Sequence, residues 1–443
     1  NNTALGKSSL QTSTANDNTA IGAFALKATT TGINNVGVGA SALYANTTGV
    51  RNTSIGAFSL DANTTGNYNS AVGHGALGGN TTGVNNAALG YGALENNTTG
   101  SHNSAFGVSA LQLNTANNNT GVGYKALFAN TTGSENVGVG ASALGANTTA
   151  SYNTAVGFRT LLSTTTGAQN TAVGAYALVS NTTTGNNTAV GTYTLTNNSG
   201  ADNTAVGRAS LYTNTTGAQN TAVGKDSLNA NTTGDYNTAV GQNALLVNTT
   251  GDNNTAVGRG ALDANTTADD NTALGYYALG ANTTGTENVA VGAYALDACV
   301  THNQHTAVGY NALSSVDGTG GNTAVGWHAM KDATTGGMNT GIGKECMEGL
   351  TTGVQNTCLG AQVMEGDGST AVTGSYNVAV GLRAMEMATT AQENTAIGYY
   401  SMQAITTGNF NTGCGSQALD NVTTGDNNTS VGYNALKALT TAD

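Results

Sequence analysis

One spacing dominates the sequence. Glycines closing an Asn-Thr-Ala-Val-Gly motif or a variant of it stand at 6, 22, 39, 56, 73, 90, 107, 123, 140, 157, 174, 191 and 207. They continue at 224, 241, 258, 275, 292, 309, 326, 343, 360, 381, 398, 415 and 432. These 26 marks leave 25 intervals: 21 of 17 residues, three of 16 and one of 21. Counted from its glycine, the unit reads G-x-x-A-L-x-x-N-T-T-G-x-x-N-T-A-V. Such regularity specifies a repeat array, in which each unit packs on its neighbours.

Seventeen residues are too few for a helical pair or a propeller blade, which take roughly 33 to 50. They suit one coil of an all-β, parallel β-solenoid (β-roll) of 26 repeats. The segments N-T-A-V and A-L are β-compatible, so two short strands per coil are expected, joined by Gly- and Asn-rich turns. Nothing shows the three-and-four apolar spacing of an amphipathic helix. At ~4.8 Å per rung the array predicts a rod of roughly 125 Å. The coils opening at Gly6, Gly107 and Gly191 lose their residue near N-T-T-G, and the coil at Gly360 gains four there, around residues 366–369. Exposed turns absorb such changes, so N-T-T-G reads as the outer corner.

Of the 36 charged residues, 33 fall at positions 2, 3, 6, 12 or 13 of the unit. All 17 Tyr, such as Tyr91, Tyr176, Tyr236 and Tyr400, occupy positions 2, 3, 6 or 13. These positions face solvent; positions 14 to 17, 1, 4 and 5 are framework. Alternate strand residues point to opposite faces, yet neither face of N-T-A-V varies. One face is therefore expected to line the coil's thin core and the other to meet a second copy of the chain. The expectation is a homo-oligomer.

Position 14 is Asn in almost every coil, including Asn52, Asn69, Asn103, Asn153, Asn220 and Asn411, with His305 the departure. Stacked amides can bond from rung to rung. Position 8 is mostly Asn from Asn46 to Asn282, then becomes Cys299, Val316, Ala333, Leu350, Ala388, Ile405, Val422 and Leu439. Position 5 turns from Leu to Met at Met330, Met347, Met364, Met385 and Met402. Two segments of one continuous solenoid follow: a regular array over 1–298, and an array with an apolar corner and a Met-substituted core over 299–443.

Composition narrows the function. The chain has 443 residues, no Pro, 8% charged residues and a net charge of −12. That charge argues against nucleic acid and anionic membranes as partners, and no run is apolar enough for a membrane-spanning helix. Four Cys cannot form a disulfide framework; Cys346, Cys358 and Cys414 read as small buried apolar residues. The Gly-rich spacings lack the following helix of a phosphate loop. No cofactor and no metal is expected. His302, His305 and His328 lie near one another in sequence without a full ligand set, and residues 317–321 and 366–369 lack the spaced oxygens calcium needs. With charges on variable surface positions and no recurring pair, no catalytic group is expected and the chain reads as a non-enzyme. Asn-x-Thr acceptors at Asn46, Asn63, Asn80 and Asn130 would carry glycans at exposed corners if the host glycosylates.

The motif at residues 237–245, Asn-Thr-Ala-Val-Gly followed by Ala-Leu, resembles the repeats of trimeric autotransporter adhesin heads. The form with an Asn-Thr-Thr-Gly corner is similar to repeats of phage tail-fibre proteins, often followed by an endosialidase-type chaperone domain. The resemblance implies a left-handed β-roll in a homotrimeric rod, located extracellularly, on a cell surface or on a virion. It implies a structural shaft, part of a longer fibre, that projects a tip toward a glycan or receptor. A second expectation is a glycan-binding adhesin surface along exposed Tyr rows, with Tyr91, Tyr176, Tyr276, Tyr277 and Tyr400 as contacts. A third is ice binding, which needs a flat, charge-free Thr face; the Thr-Thr pair sits instead at the length-variable corner.

Overall fold

A computed structural model describes residues 1–441. Among them the protein is all-β, a solenoid of parallel strands with no helix. Two compact units, Asn1–Gln219 and Asn220–Asp443, each stack coil upon coil. Within each unit strands pair in register with the next coil: Thr154, Ala155 and Val156 face Thr171, Ala172 and Val173, and Thr238, Ala239 and Val240 face Thr255, Ala256 and Val257. The 21-residue interval keeps this register, Thr357 pairing with Val378. Its extra residues, from Asp367 to Thr370, are exposed.

Each coil carries one strand of three residues at positions 15 to 17, not two. The Ala-Leu segment is a turn in which Leu takes a left-handed backbone, φ 48° at Leu26 and φ 51° at Leu245. Placing an L-residue there costs roughly 1–2 kcal/mol. The Leu side chain is fully buried, a gain of about 1.5–3 kcal/mol. Its amide also reaches the next coil, Leu26 N–H donating to Ala42 O at 2.9 Å. Burial and ladder bonding outweigh a local preference that the sequence pattern alone registers as β.

The core of a coil is therefore thin: Ala at positions 4 and 16, Leu or Met at 5, and Asn at 14. Position 1 is where the backbone demands glycine. Gly241 has φ 136°, and a Cβ there would lie 2.4 Å from Gly258 O.

Candidate functional site

The position-14 amides form a ladder built from backbone and side chain together. Asn52 N–H donates to Asn35 Oδ1 at 3.0 Å, and Asn52 Nδ2 to Gly66 O at 2.9 Å. Asn69, Asn103, Asn153 and Asn411 repeat both contacts at 2.8–3.0 Å. In the second unit Asn220 Nδ2 donates to Gly234 O at 2.8 Å and Asn220 Oδ1 accepts from Asn237 N–H at 2.9 Å. Each amide thus bonds the coil on either side of it. These groups are buried, so their polarity holds the stack together and is not offered to a ligand.

Position 8 lies inside as well, which overturns the outer-corner reading of its Asn. Asn46, Asn63, Asn80 and Asn130 are fully buried. They form a second ladder, Asn63 Nδ2 donating to Asn46 Oδ1 at 2.9 Å and Asn80 Nδ2 to Asn63 Oδ1 at 2.8 Å. An amide nitrogen so engaged is not open to glycosylation in the folded chain. Only the Thr pair turns outward, and the first Thr adds a third ladder, Thr47 Oγ1 donating to Thr64 O at 3.0 Å. Position 8 stays inward after the Asn run ends, so the later Val316, Ala333, Leu350 and Ile405 are buried in turn, whereas Asp367, at position 8 of the 21-residue coil, is exposed.

The outward strand face is the surface with the most uniform chemistry. Ala at position 16 points in and is buried, while positions 15 and 17 point out. Position 17 is apolar in all 26 coils and position 15 is Thr, Ser, Ala or Val, with no charge at either. Leu89 is 48% exposed, Leu274 47% and Ile397 43%. Cys414 occupies this column and is exposed, which corrects its reading as a buried residue. Cys299, Cys346 and Cys358 are buried.

The singled-out tyrosines fall into separate groups. Tyr276 and Tyr277 meet edge to face with centroids 4.7 Å apart. Tyr91 stacks on His74, Tyr176 on Tyr193, and Tyr400 meets Tyr399 under Arg383. The pattern reading missed Tyr294, which packs against both Tyr276 and Tyr277; its 17-residue offset from Tyr277 was the available signal.

The three late histidines part company. His302 Nδ1 lies 3.3 Å from Asp317, His328 Nδ1 lies 3.1 Å from Glu348, and His305 is buried with neither ring nitrogen bonded. Asp367 accepts from the Ser369 and Thr370 amides of its own loop. No group of three or more His, Cys, Asp or Glu side chains converges among the described residues. No helix there is long and apolar enough to cross a membrane.

The class defined by this geometry is a parallel β-solenoid with internal Asn ladders and one charge-free strand face. No family model matches the chain, and no curated protein is detectably similar to it.

Proposed function

We propose that the chain is a structural shaft of an extracellular or virion-attached fibre, assembled from parallel copies of itself through the outward strand face. One observation carries this reading: positions 15 and 17 point to water in the single chain, yet bear none of its 36 charged residues. A solvated sheet face ordinarily alternates with polar and charged side chains, and a continuous exposed apolar stripe marks an interaction surface. Thirteen coils of one unit, at roughly 4.8 Å per rung and about 10 Å of strand, present on the order of 600 Å². A standard specific interface buries about 800 Å² per partner. Three such faces meeting around one axis would cover one another, which agrees with the trimeric fibre proteins that the motif resembles.

The mechanism is mechanical. Each added coil contributes the same strand pairing and the same Asn and Thr bonds, so stability grows by nearest-neighbour repetition. A tip for a glycan or receptor belongs to the same proposal.

Light scattering coupled to chromatography tests it. A mass near three times 43.8 kDa is expected, and a monomer overturns it. A monomer that also showed thermal hysteresis would give the in-register Thr of positions 15 to ice instead.

A further inference from the structure

Four consecutive coils of the second unit, opening at Gly275, Gly292, Gly309 and Gly326, join their rings into one ribbon. Tyr276 meets Tyr294 edge to face at 5.3 Å, and Tyr294 meets Tyr310 at 6.3 Å. Tyr310 stacks on His328 at 5.8 Å, and His328 stacks on Trp327 at 3.5 Å. Arg259 lies 5.7 Å over Tyr276 at one end and Lys344 lies 5.2 Å over Trp327 at the other. Tyr277 and Tyr294 stand nearly parallel, 6° apart in plane, with centroids 6.4 Å apart.

The ring of Tyr277 is set by its neighbour below. A Cβ on Gly260 would lie 2.6 Å from Tyr277 Cε1, so the ring rests on bare backbone. Beside the ribbon runs the position-6 column, Asp263, Gly280 and Asp297. Gly280 leaves a notch between the two carboxylates, and a Cβ there would lie 3.5 Å from Asp263 Oδ1 and 3.4 Å from Tyr277 Cδ1. The result is an open cleft of about 410 Å³ lined by Tyr277, Gly280, Ala281, Tyr294 and Asp297.

Neither Asp263 nor Asp297 has a cationic partner within ion-pair distance among the described residues. Partial burial holds both carboxyls above the ordinary Asp range. Asp61, at position 6 of the coil opening at Gly56, shifts the same way, so the cleft's lining and not the shift marks this place.

We infer that this cleft binds a neutral pyranoside oligosaccharide, one sugar ring laid against Tyr294 and Tyr277 and its hydroxyls donating to Asp263 and Asp297. The chemistry selects this class. Aromatic faces are electron-rich and accept the C–H face of a pyranose, a binding cleft pairs such surfaces with a few polar groups that fix orientation, and two carboxylates beside them take up O–H donors. The same carboxylates, on a chain of net charge −12, repel phosphorylated or acidic ligands. The site goes beyond the shaft reading and does not depend on it, since it is complete within one chain.

Trp327 is the only Trp of the chain and sits on the ribbon, so its fluorescence reports on this region. The full-length protein would be titrated with chitotriose, cellotriose and maltotriose, followed by Trp emission and by saturation-transfer NMR. Saturable binding of at least one is expected, weakened about tenfold or more, the equivalent of 1.4 kcal/mol, in Tyr294→Ala and in Asp297→Asn. Tyr152→Ala, at an exposed position of the first unit, should leave it unchanged. Asp297→Asn alters charge with almost no change of shape, and melting curves establish that each variant is folded. No saturable response to any of the three sugars overturns the inference. So does undiminished binding by folded Tyr294→Ala and Asp297→Asn, or preference for a proline-rich peptide over the sugars.

Discussion

The backbone N–H of His305 donates to Asn288 Oδ1 at 2.9 Å, and there the position-14 ladder is interrupted. The imidazole occupies a buried amide site, and neither of its nitrogens finds a partner. Desolvation, then the nearby charge of His302, lowers its pKa from 6.5 to about 4. His302 is itself beside Asp317, while the flanking ladder groups Asn288 and Asn322 are neutral.

A pH dependence follows. Between pH 6.5 and about 4 the unfolded chain binds the His305 proton and the folded chain does not. Stability contributed by the neutral imidazole is therefore present above pH 6.5 and lost as pH falls toward 4. The full span corresponds to about 3 kcal/mol. His305→Asn should restore the ladder and flatten this part of the profile. Chemical denaturation of both proteins at pH 7.5, 5.5 and 4.5 checks it; parallel profiles count against the account.

The inner position-8 column predicts that reciprocal substitutions in the two kinds of coil both destabilise. Asn63→Ala removes the donor to Asn46 Oδ1 and strands that acceptor in the core, a loss of about 1–3 kcal/mol. Ala333→Asn puts an amide between buried Val316 and Leu350 and should destabilise by a similar amount. Asn63→Ala that melts like the wild type would contradict the ladder.

Glycine tolerance should split by position. Gly241→Ala places a methyl 2.4 Å from Gly258 O at φ 136°, and a loss on the order of 3 kcal/mol or more is expected. At Gly75, φ 68°, the nearest atom to a new Cβ is Glu95 Oε1 at 3.9 Å. Gly75→Ala should therefore cost no more than about 1–2 kcal/mol, the ordinary left-handed penalty. Hydrogen exchange would show faster opening around the coil that begins at Gly241 and little change around the one that begins at Gly73.

Cys414 offers a direct reading of the strand face. It is the exposed thiol, whereas Cys299, Cys346 and Cys358 are buried. Parallel, in-register copies packed on this face bring their Cys414 side chains together, so a short bismaleimide should link chains in native solution. Cys414→Ala should abolish the product. Crosslinking at dilution that yields only monomer would speak against that packing.

The period, the solenoid class, the inward Ala and Leu and the role of the position-14 Asn were legible in the sequence, because each repeats as a column that charge never enters. Period alone carries no phase. Whether Asn46 faces in or out, or Val173 in or out, depends on how the turns aim each residue, which a repeat pattern does not encode. The tertiary structure decided these cases through ladder bonding to the adjacent coil, which seats Asn46 inside, and through strand pleating, which turns Val173 outward. It also decided that Ala-Leu is a turn, since burial of Leu245 outweighs the strain of its φ of 51°. Finally, it joined Tyr277, Tyr294 and Asp297 across two coils, a neighbourhood made by stacking residues 17 apart and visible only once the coils are superposed.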